Sequence, residues 1–179
     1  WPAPDRFHVP SKDELVALCG ILTTTFSMEQ NATTMSTYLK MPMAGYRRYS
    51  NSGILGIGTA GYYWSSIPYD VDCAYTLHFG QTSISTQSKL QRATGFPVRC
   101  FKDVPTIPTS SWTTLYDWSS VASWAWVFYN ATDGLISVSG DWVIRYTIMD
   151  KNLWATTVYN QWDTLTDANC GNFYQWGNN

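Results

Sequence analysis

Few side chains in this chain could carry acid–base or nucleophilic chemistry. Only two histidines, His8 and His78, and two glutamates, Glu14 and Glu29, are present. No G-x-S-x-G, H-E-x-x-H or P-loop pattern occurs, so no nucleophile elbow, zinc helix or phosphate loop is spelled out. A Ser–His–Asp set could still assemble from distant positions, but nothing singles one out. Cys19, Cys73, Cys100 and Cys170 show no C-x-x-C and no histidine at metal-ligand spacing, which speaks against zinc. They read either as disulfide partners or as small buried apolar residues. No metal and no cofactor is expected. Gly56-Ile57-Gly58-Thr59-Ala60-Gly61 matches G-x-G-x-x-G, but an Asn-Ser-Gly turn precedes it and Tyr62-Tyr63-Trp64 continues as strand. A dinucleotide fold needs a strand before that pattern and a helix after it. What remains is surface chemistry. QTSISTQSKLQRAT, residues 81–94, is nearly free of apolar anchors between two strand-like segments, so its side chains cannot all be core, and binding is the economical use for them.

The elements that would hold this surface are legible in part. Ser11-Lys12-Asp13-Glu14 is a capping box, with the Ser hydroxyl on the N3 amide and Glu14 reaching back to the cap amide. Leu15, Leu18, Cys19 and Leu22 then form one apolar stripe, and the β-branched Thr23–Thr25 run ends the helix near residue 26. In Ala74–Phe79, Tyr75, Leu77 and Phe79 alternate with Ala74, Thr76 and His78; Phe96, Val98 and Cys100 alternate with Pro97 and Arg99. Both read as strands with one buried face, displaying the polar segment between them. His8 reads as a hydrogen-bonding residue of the entry loop, and His78 as a solvated residue or a ligand contact. After residue 31 the pattern becomes irregular, with loops and short strands punctuated by Gly.

Residues 104–111, rich in Pro, Thr and Ser, read as a linker between residues 1–103 and residues 112–179. Charge shifts there as well: nine Lys or Arg against seven acids before it, two against six after it. WAWVFY, GLISVS and DWVIRYTIM, separated by Asn/Asp/Gly turns, predict a β-meander. With 13% charged residues and a net charge of −2, the chain lacks the basic face of a nucleic-acid binder. No apolar run is long enough to span a bilayer as a helix. Aromatic content of 16%, with abundant Thr and Ser, suits a β-rich extracellular module. Asn31-Ala32-Thr33 and Asn130-Ala131-Thr132 are sequons.

WPAPDRFHVPSKDEL, MPMAGYRRYSNSGILGIGTAGYYWSS and AYTLHF…RATGFPVRCFKD resemble, in this order, three motifs of the Fibrobacter succinogenes major paralogous domain, a repeat-prone module of bacterial surface proteins. Ala3, Phe7 and Leu15 depart from that family's Cys and Trp positions. TIMDKNLWATTVYN…NCGNFYQWGNN is similar to a segment that stands at the front of such a module, whereas here it comes last. The resemblance implies that residues 1–103 are the C-terminal two-thirds of one module and residues 112–179 the N-terminal part of the next, a slice from a tandem array, or else the permuted completion of the first. It also implies an α+β fold: a C-type-lectin-like module with one capped helix and a small twisted, mostly antiparallel sheet, followed by the meander. By analogy with the diversified proteins of that fold, Tyr69, Asp70, Asp72, His78, Gln81, Gln87, Lys89, Gln91 and Arg92 would touch a protein or glycan ligand at the bacterial cell surface. A Cys19–Cys100 bridge from helix to strand is implied in the same way. The function expected is a non-catalytic extracellular ligand-binding or adhesion module that displays the polar run as a variable-type loop on the lectin-like scaffold. The alternatives are a purely structural bead of a surface stalk and a formylglycine-generating-type enzyme, whose copper-binding cysteine pair would have only Cys73 to join Cys100.

Eight of the ten tryptophans lie between residues 112 and 176. The resemblance implies Gly at Trp118, Trp124, Trp126, Trp142, Trp154 and Trp162, several of which stand in turn-like settings. Two readings stay open: ordinary aromatic residues, or glycines written as Trp through a reassigned UGA codon.

Overall fold

The computed structural model describes residues 3–25, 31–51, 53–120, 123–140, 143–161 and 163–176. Glu29, Trp142 and Trp162 lie outside the described residues, as do the side chains of Trp118 and Trp124.

The chain opens with β1 (Phe7–His8) and α1 (Lys12–Gly20), whose Ser11–Glu14 capping box forms in both directions. A π-helical turn, Ile21–Thr25, follows where the β-branched run was expected to weaken the helix. A second helix, α2 (Ala32–Leu39), was not expected from the sequence. Asn31 Oδ1 accepts its Thr34 amide at 3.1 Å, and Ala32, Met35 and Leu39 point into the core. The strands β2 (Tyr46–Arg47), β3 (Ile54–Leu55), β4 (Ala60–Pro68), β5 (Cys73–Gly80), β6 (Ile84–Gln91), β7 (Gly95–Phe96) and β8 (Phe101–Lys102) come next. The three runs expected to form a meander are β10 (Ser123–Asn130), β11 (Leu135–Gly140) and β12 (Val143–Met149), preceded by β9 (Thr113–Ser120), which was not expected; the one-turn helix α3 (Asp167–Cys170) and β13 (Tyr174–Gln175) close the order.

These strands build three antiparallel sheets, ordered β1-β8-β12-β11-β10-β9, β13-β7-β2-β3 and β4-β5-β6. The α+β expectation, a lectin-like module with one small sheet, is therefore corrected: the fold is β-rich, with thirteen strands among the described residues and three short helices. The reason lies in partner choice. β12 pairs with β8 (Ile148 opposite Phe101) and β13 pairs with β7 (Tyr174 opposite Phe96), so strands from residues 112–176 share sheets with strands from residues 1–103. The polar run also differs from a loop, since residues 84–91 are the terminal strand of the third sheet.

Two apolar cores result. The first joins Leu15, Leu18, Leu22, Met35 and Leu39 of the helices to Tyr63, Leu77 and Phe79 of the third sheet and to Val127, Ile136, Val138 and Ile148 of the first. The second gathers Val9, Trp64, Phe96, Val98, Cys100 and Leu153. All four cysteines are free thiols, with Cys19 in the first core and Cys100 in the second, and the implied bridge between them is not formed. Burial pushes both thiols up to about 12.

Arg99 ties the parts together. Sequence alternation turns it toward solvent, yet it is 1% exposed. Residues 97–100 are irregular rather than strand, and all five N–H groups of the guanidinium find acceptors on other segments of the chain. Nη1 donates to Leu39 O and Met149 O at 3.0 and 2.7 Å, Nη2 to Lys40 O and Asn152 Oδ1 at 2.7 and 2.9 Å, and Nε to Asn152 Oδ1 at 3.2 Å. Asn152 in turn donates to Cys170 O and to the Tyr63 hydroxyl, which donates to Pro42 O. A buried unpaired charge is costly, and this one is tolerated because every donor is matched.

Trp154 is 66% exposed and sits at φ 63°, third in a turn closed by the Ala155 amide on Asn152 O at 2.9 Å. A turn with a left-handed third residue favours Gly because a Cβ is strained there. Trp118, by contrast, lies within β9.

Replacing Arg99 by Met leaves three backbone carbonyls without donors and is expected to cost about 3 kcal/mol or more in chemical denaturation. Arg99→Lys should recover little of this, since three mobile donors cannot serve five fixed acceptor directions. Trp154→Gly is expected to stabilise the chain by about 1 kcal/mol through relief of the left-handed backbone; a lower denaturation midpoint for that variant would show that the turn tolerates Trp.

Candidate functional site

The nine expected contact residues are distributed along the third sheet and its turns. The β4–β5 turn holds Tyr69, Asp70 and Asp72, all exposed. Asp70 Oδ1 accepts the Asp72 and Cys73 amides at 2.9 and 2.7 Å, fixing the turn. Arg92 braces the same turn from the end of β6: its Nε donates to Cys73 O at 3.2 Å, its Nη2 to Asp70 O, and its guanidinium lies 4.2 Å from the Trp176 ring centroid. Gln91 is exposed beside it, opposite Cys73. Asp70, Asp72, Gln91 and Arg92 thus line one depression of about 560 Å³, together with Tyr49, Val71, Cys73 and Ala93. Lys89 lies opposite Tyr75, with its ammonium 3.9 Å from the Tyr69 ring centroid.

The other three are elsewhere. Gln87 is exposed farther along β6, and Gln81 lies in the β5–β6 turn, at the far end of an eight-residue strand, roughly 24 Å from the Asp70 turn by strand rise. His78 stacks on Tyr62 at 4.6 Å, and burial lowers its pKa, which favours a neutral ring. Tyr62 also stacks with Phe96 at 5.2 Å, and Tyr46 packs perpendicular to Tyr62 at 5.4 Å.

This aromatic group opens a groove that sequence reasoning missed. A depression of about 170 Å³ is lined by Tyr46, Tyr62, Leu90, Thr94 and Phe96. Tyr46 and Thr94 continue into one of about 350 Å³ with Arg48, Tyr49, Ser50 and Gln91. Arg48 and Tyr49 also wall a third of about 310 Å³ with Arg47, Ala93, Gly95, Phe173, Tyr174 and Gln175. With the Asp70–Arg92 depression, four hollows meet around Tyr49, which lines three of them and is 58% exposed. The geometry comes from β2, which pairs on one side with β3 and on the other with β7, and from Arg48 N donating to Gly53 O at 2.8 Å. Arg47, Arg48, Tyr49 and Ser50 therefore project from a pinned ribbon. Gly95 allows the ribbon close, since a Cβ there would stand 3.1 Å from Arg47 Cβ and 3.2 Å from Phe173 Cβ. One signal in the sequence could have found this ribbon: no acid occurs between Glu29 and Asp70, while Lys40, Arg47 and Arg48 do.

His8 has a separate environment. Its Nδ1 lies 2.8 Å from Asp103 Oδ1 and its Nε2 2.9 Å from Glu14 Oε1, so the ring clamps β1, α1 and the end of β8 together. Glu14 Oε2 accepts the Ser11 amide and hydroxyl. Burial by itself would lower the His8 pKa, but the bonds to Asp103 and Glu14 outweigh it and raise the pKa. Burial likewise would raise Glu14, and the Ser11 amide followed by His8 brings it below its ordinary value. Ser11 is bonded to Glu14 and not to the imidazole. Among the described residues no group of three or more His, Cys, Asp or Glu is placed to hold a metal ion, and no helix is long and apolar enough to cross a membrane.

A family model described as a domain of unknown function (DUF8237) matches residues 26–101, a span that contains α2, β2–β7 and most of the groove. No curated protein and no solved structure matches the chain.

Because the folded pKa of His8 lies above its unfolded value, the clamp contributes in full below about pH 6.5, and the contribution disappears as pH rises through the folded value. The difference in urea midpoint between the parent chain and His8→Gln is therefore expected to be largest in mildly acidic buffer and to shrink toward about pH 9. A difference that grows with pH would contradict the charge assignment.

Proposed function

We propose that this chain is a non-catalytic ligand-binding or adhesion module of a bacterial cell surface, and that its contacts are made in the groove centred on Tyr49. The observation that carries this reading is the convergence of three hollows on one exposed tyrosine, held by a ribbon that is hydrogen-bonded on both sides. Tyr, Arg, Gln, Ser and Thr around it are the residue types that give large contact area and adaptable hydrogen bonds at low ordering cost. The low charge, the aromatic content and the resemblance to bacterial surface modules support the extracellular setting. The four expected contacts at the Asp70–Arg92 end form one wall of this groove, with Arg92 bracing the turn that carries the acids.

A panel of neutral, cationic and anionic fragments followed by amide chemical shifts tests the proposal. Shifts are expected to concentrate at Tyr46, Tyr49, Gln91 and Thr94, and Tyr49→Ala is expected to weaken the hits by roughly tenfold while leaving the fold intact. Shifts scattered over the first sheet, or none at all, would favour a purely structural bead of a surface stalk.

A further inference from the structure

We infer that the basic end of the groove docks an acidic peptide segment, one carboxylate bridging Arg47 and Arg48 while Tyr49 packs against the neighbouring side chain. The inference rests on the groove being a binding site and goes further by naming what it takes.

The charge distribution is the first argument. The two hollows that Arg48 lines contain two guanidinium groups and no carboxylate. Arg48 is exposed and has no ion pair among the described residues, and Arg47 is steadied over the Phe173 ring at 5.8 Å. Adjacent forks of this kind match a carboxylate in shape as well as sign. Asp70 and Asp72, in the hollow on the other side of Tyr49, would repel a second acid. The groove thus selects a ligand with its charge at one end, unlike the continuous basic strip that a polyanion needs.

The second argument separates peptide from sugar. A sugar ring seeks a broad bare aromatic platform, yet Tyr62 is stacked with both His78 and Phe96 and Tyr46 packs perpendicular to Tyr62, which leaves the exposed Tyr49 as a single ring beside the guanidinium groups. A peptide instead finds backbone to pair with, because β6 is the terminal strand of its sheet and leads into the groove at Gln91. Main-chain bonds along such an edge supply affinity and side-chain hollows supply selection.

The test uses the whole chain and three dye-labelled probes: an extended hexapeptide ending in two glutamates, the same peptide ending in two glutamines, and an oligogalacturonate of equal charge. At low salt the glutamate peptide is expected to bind about tenfold more tightly than its glutamine counterpart, with shifts at the Arg47–Ser50 ribbon. Arg48→Gln should remove that preference and Arg48→Lys should retain part of it, while Arg6→Gln, a cation outside the groove, should not change it. Equal binding of the two peptides, no effect of Arg48→Gln, or tighter binding of the oligogalacturonate overturns the inference. If neutral fragments occupy the groove without any preference for the acid, the inference fails and the binding module stands; if nothing occupies it, both fail.

Discussion

The buried guanidinium of Arg99 is the constraint on which the rest of this structure depends. Its five hydrogen bonds end on the C-terminus of α2, on the end of β12 and on Asn152, three pieces of chain with no local reason to meet. A charge taken out of water without a carboxylate partner survives only where fixed dipoles replace the lost solvent. The carbonyls of Leu39, Lys40 and Met149 supply them here. Lys40 closes α2 in a left-handed conformation, φ 54°, which places that helix's last carbonyls beside the guanidinium. Asn152 then extends the network to Tyr63 in the third sheet and to Cys170 in α3.

That network explains why the two halves of the chain do not behave as neighbours along a string. The N-terminal strands β1 and β8 complete a sheet begun by the meander, and β13 completes a sheet begun by β2, β3 and β7. Each half supplies strands that would otherwise present open edges. The indole N–H groups reinforce the exchange: Trp64 donates to Tyr174 O at 2.6 Å and Trp176 donates to Ser65 O at 2.9 Å. The groove is a product of this interleaving, since one of its hollows is walled by β2, the β6–β7 turn and residues 173–175.

The groove also shows how a modest net charge can hide a sharp local pattern. The chain carries a formal −2, yet Arg47 and Arg48 stand together away from acids while Asp70 and Asp72 stand together across Tyr49. Summed charge describes solubility and long-range steering; recognition follows from which side chains share a hollow. The Lys89–Tyr69 and Arg92–Trp176 contacts show the opposite use of cations, each held over a ring of the same chain.

Local signals in this chain are explicit and long-range ones are not. The Ser11–Glu14 box, the α1 stripe, β4, β5 and the three meander strands follow from periodicity, capping and turn chemistry, which act within a few residues. The helix α2 escaped because its Thr and Ser content masks a stripe at Ala32, Met35 and Leu39, although Asn31 announces its cap. Alternation assigns Arg99 to solvent and cannot see the four acceptor oxygens arriving from residues 39, 40, 149 and 152. For the same reason the fold class was misjudged, since strand partners across about fifty residues carry no periodic mark. Of the candidate site, the acidic turn and Gln91 were legible as polar, exposed positions, whereas the Arg47–Ser50 ribbon and Phe173 became neighbours only through sheet pairing. The sequence by itself determined the α1 cap and stripe, the strands β4, β5 and β10–β12, and that a polar surface is displayed, because those depend on short-range geometry. Tertiary structure decided which strands share a sheet, where the Arg99 guanidinium goes and which charges face a common hollow, because those depend on contacts the chain makes only once it has closed on itself.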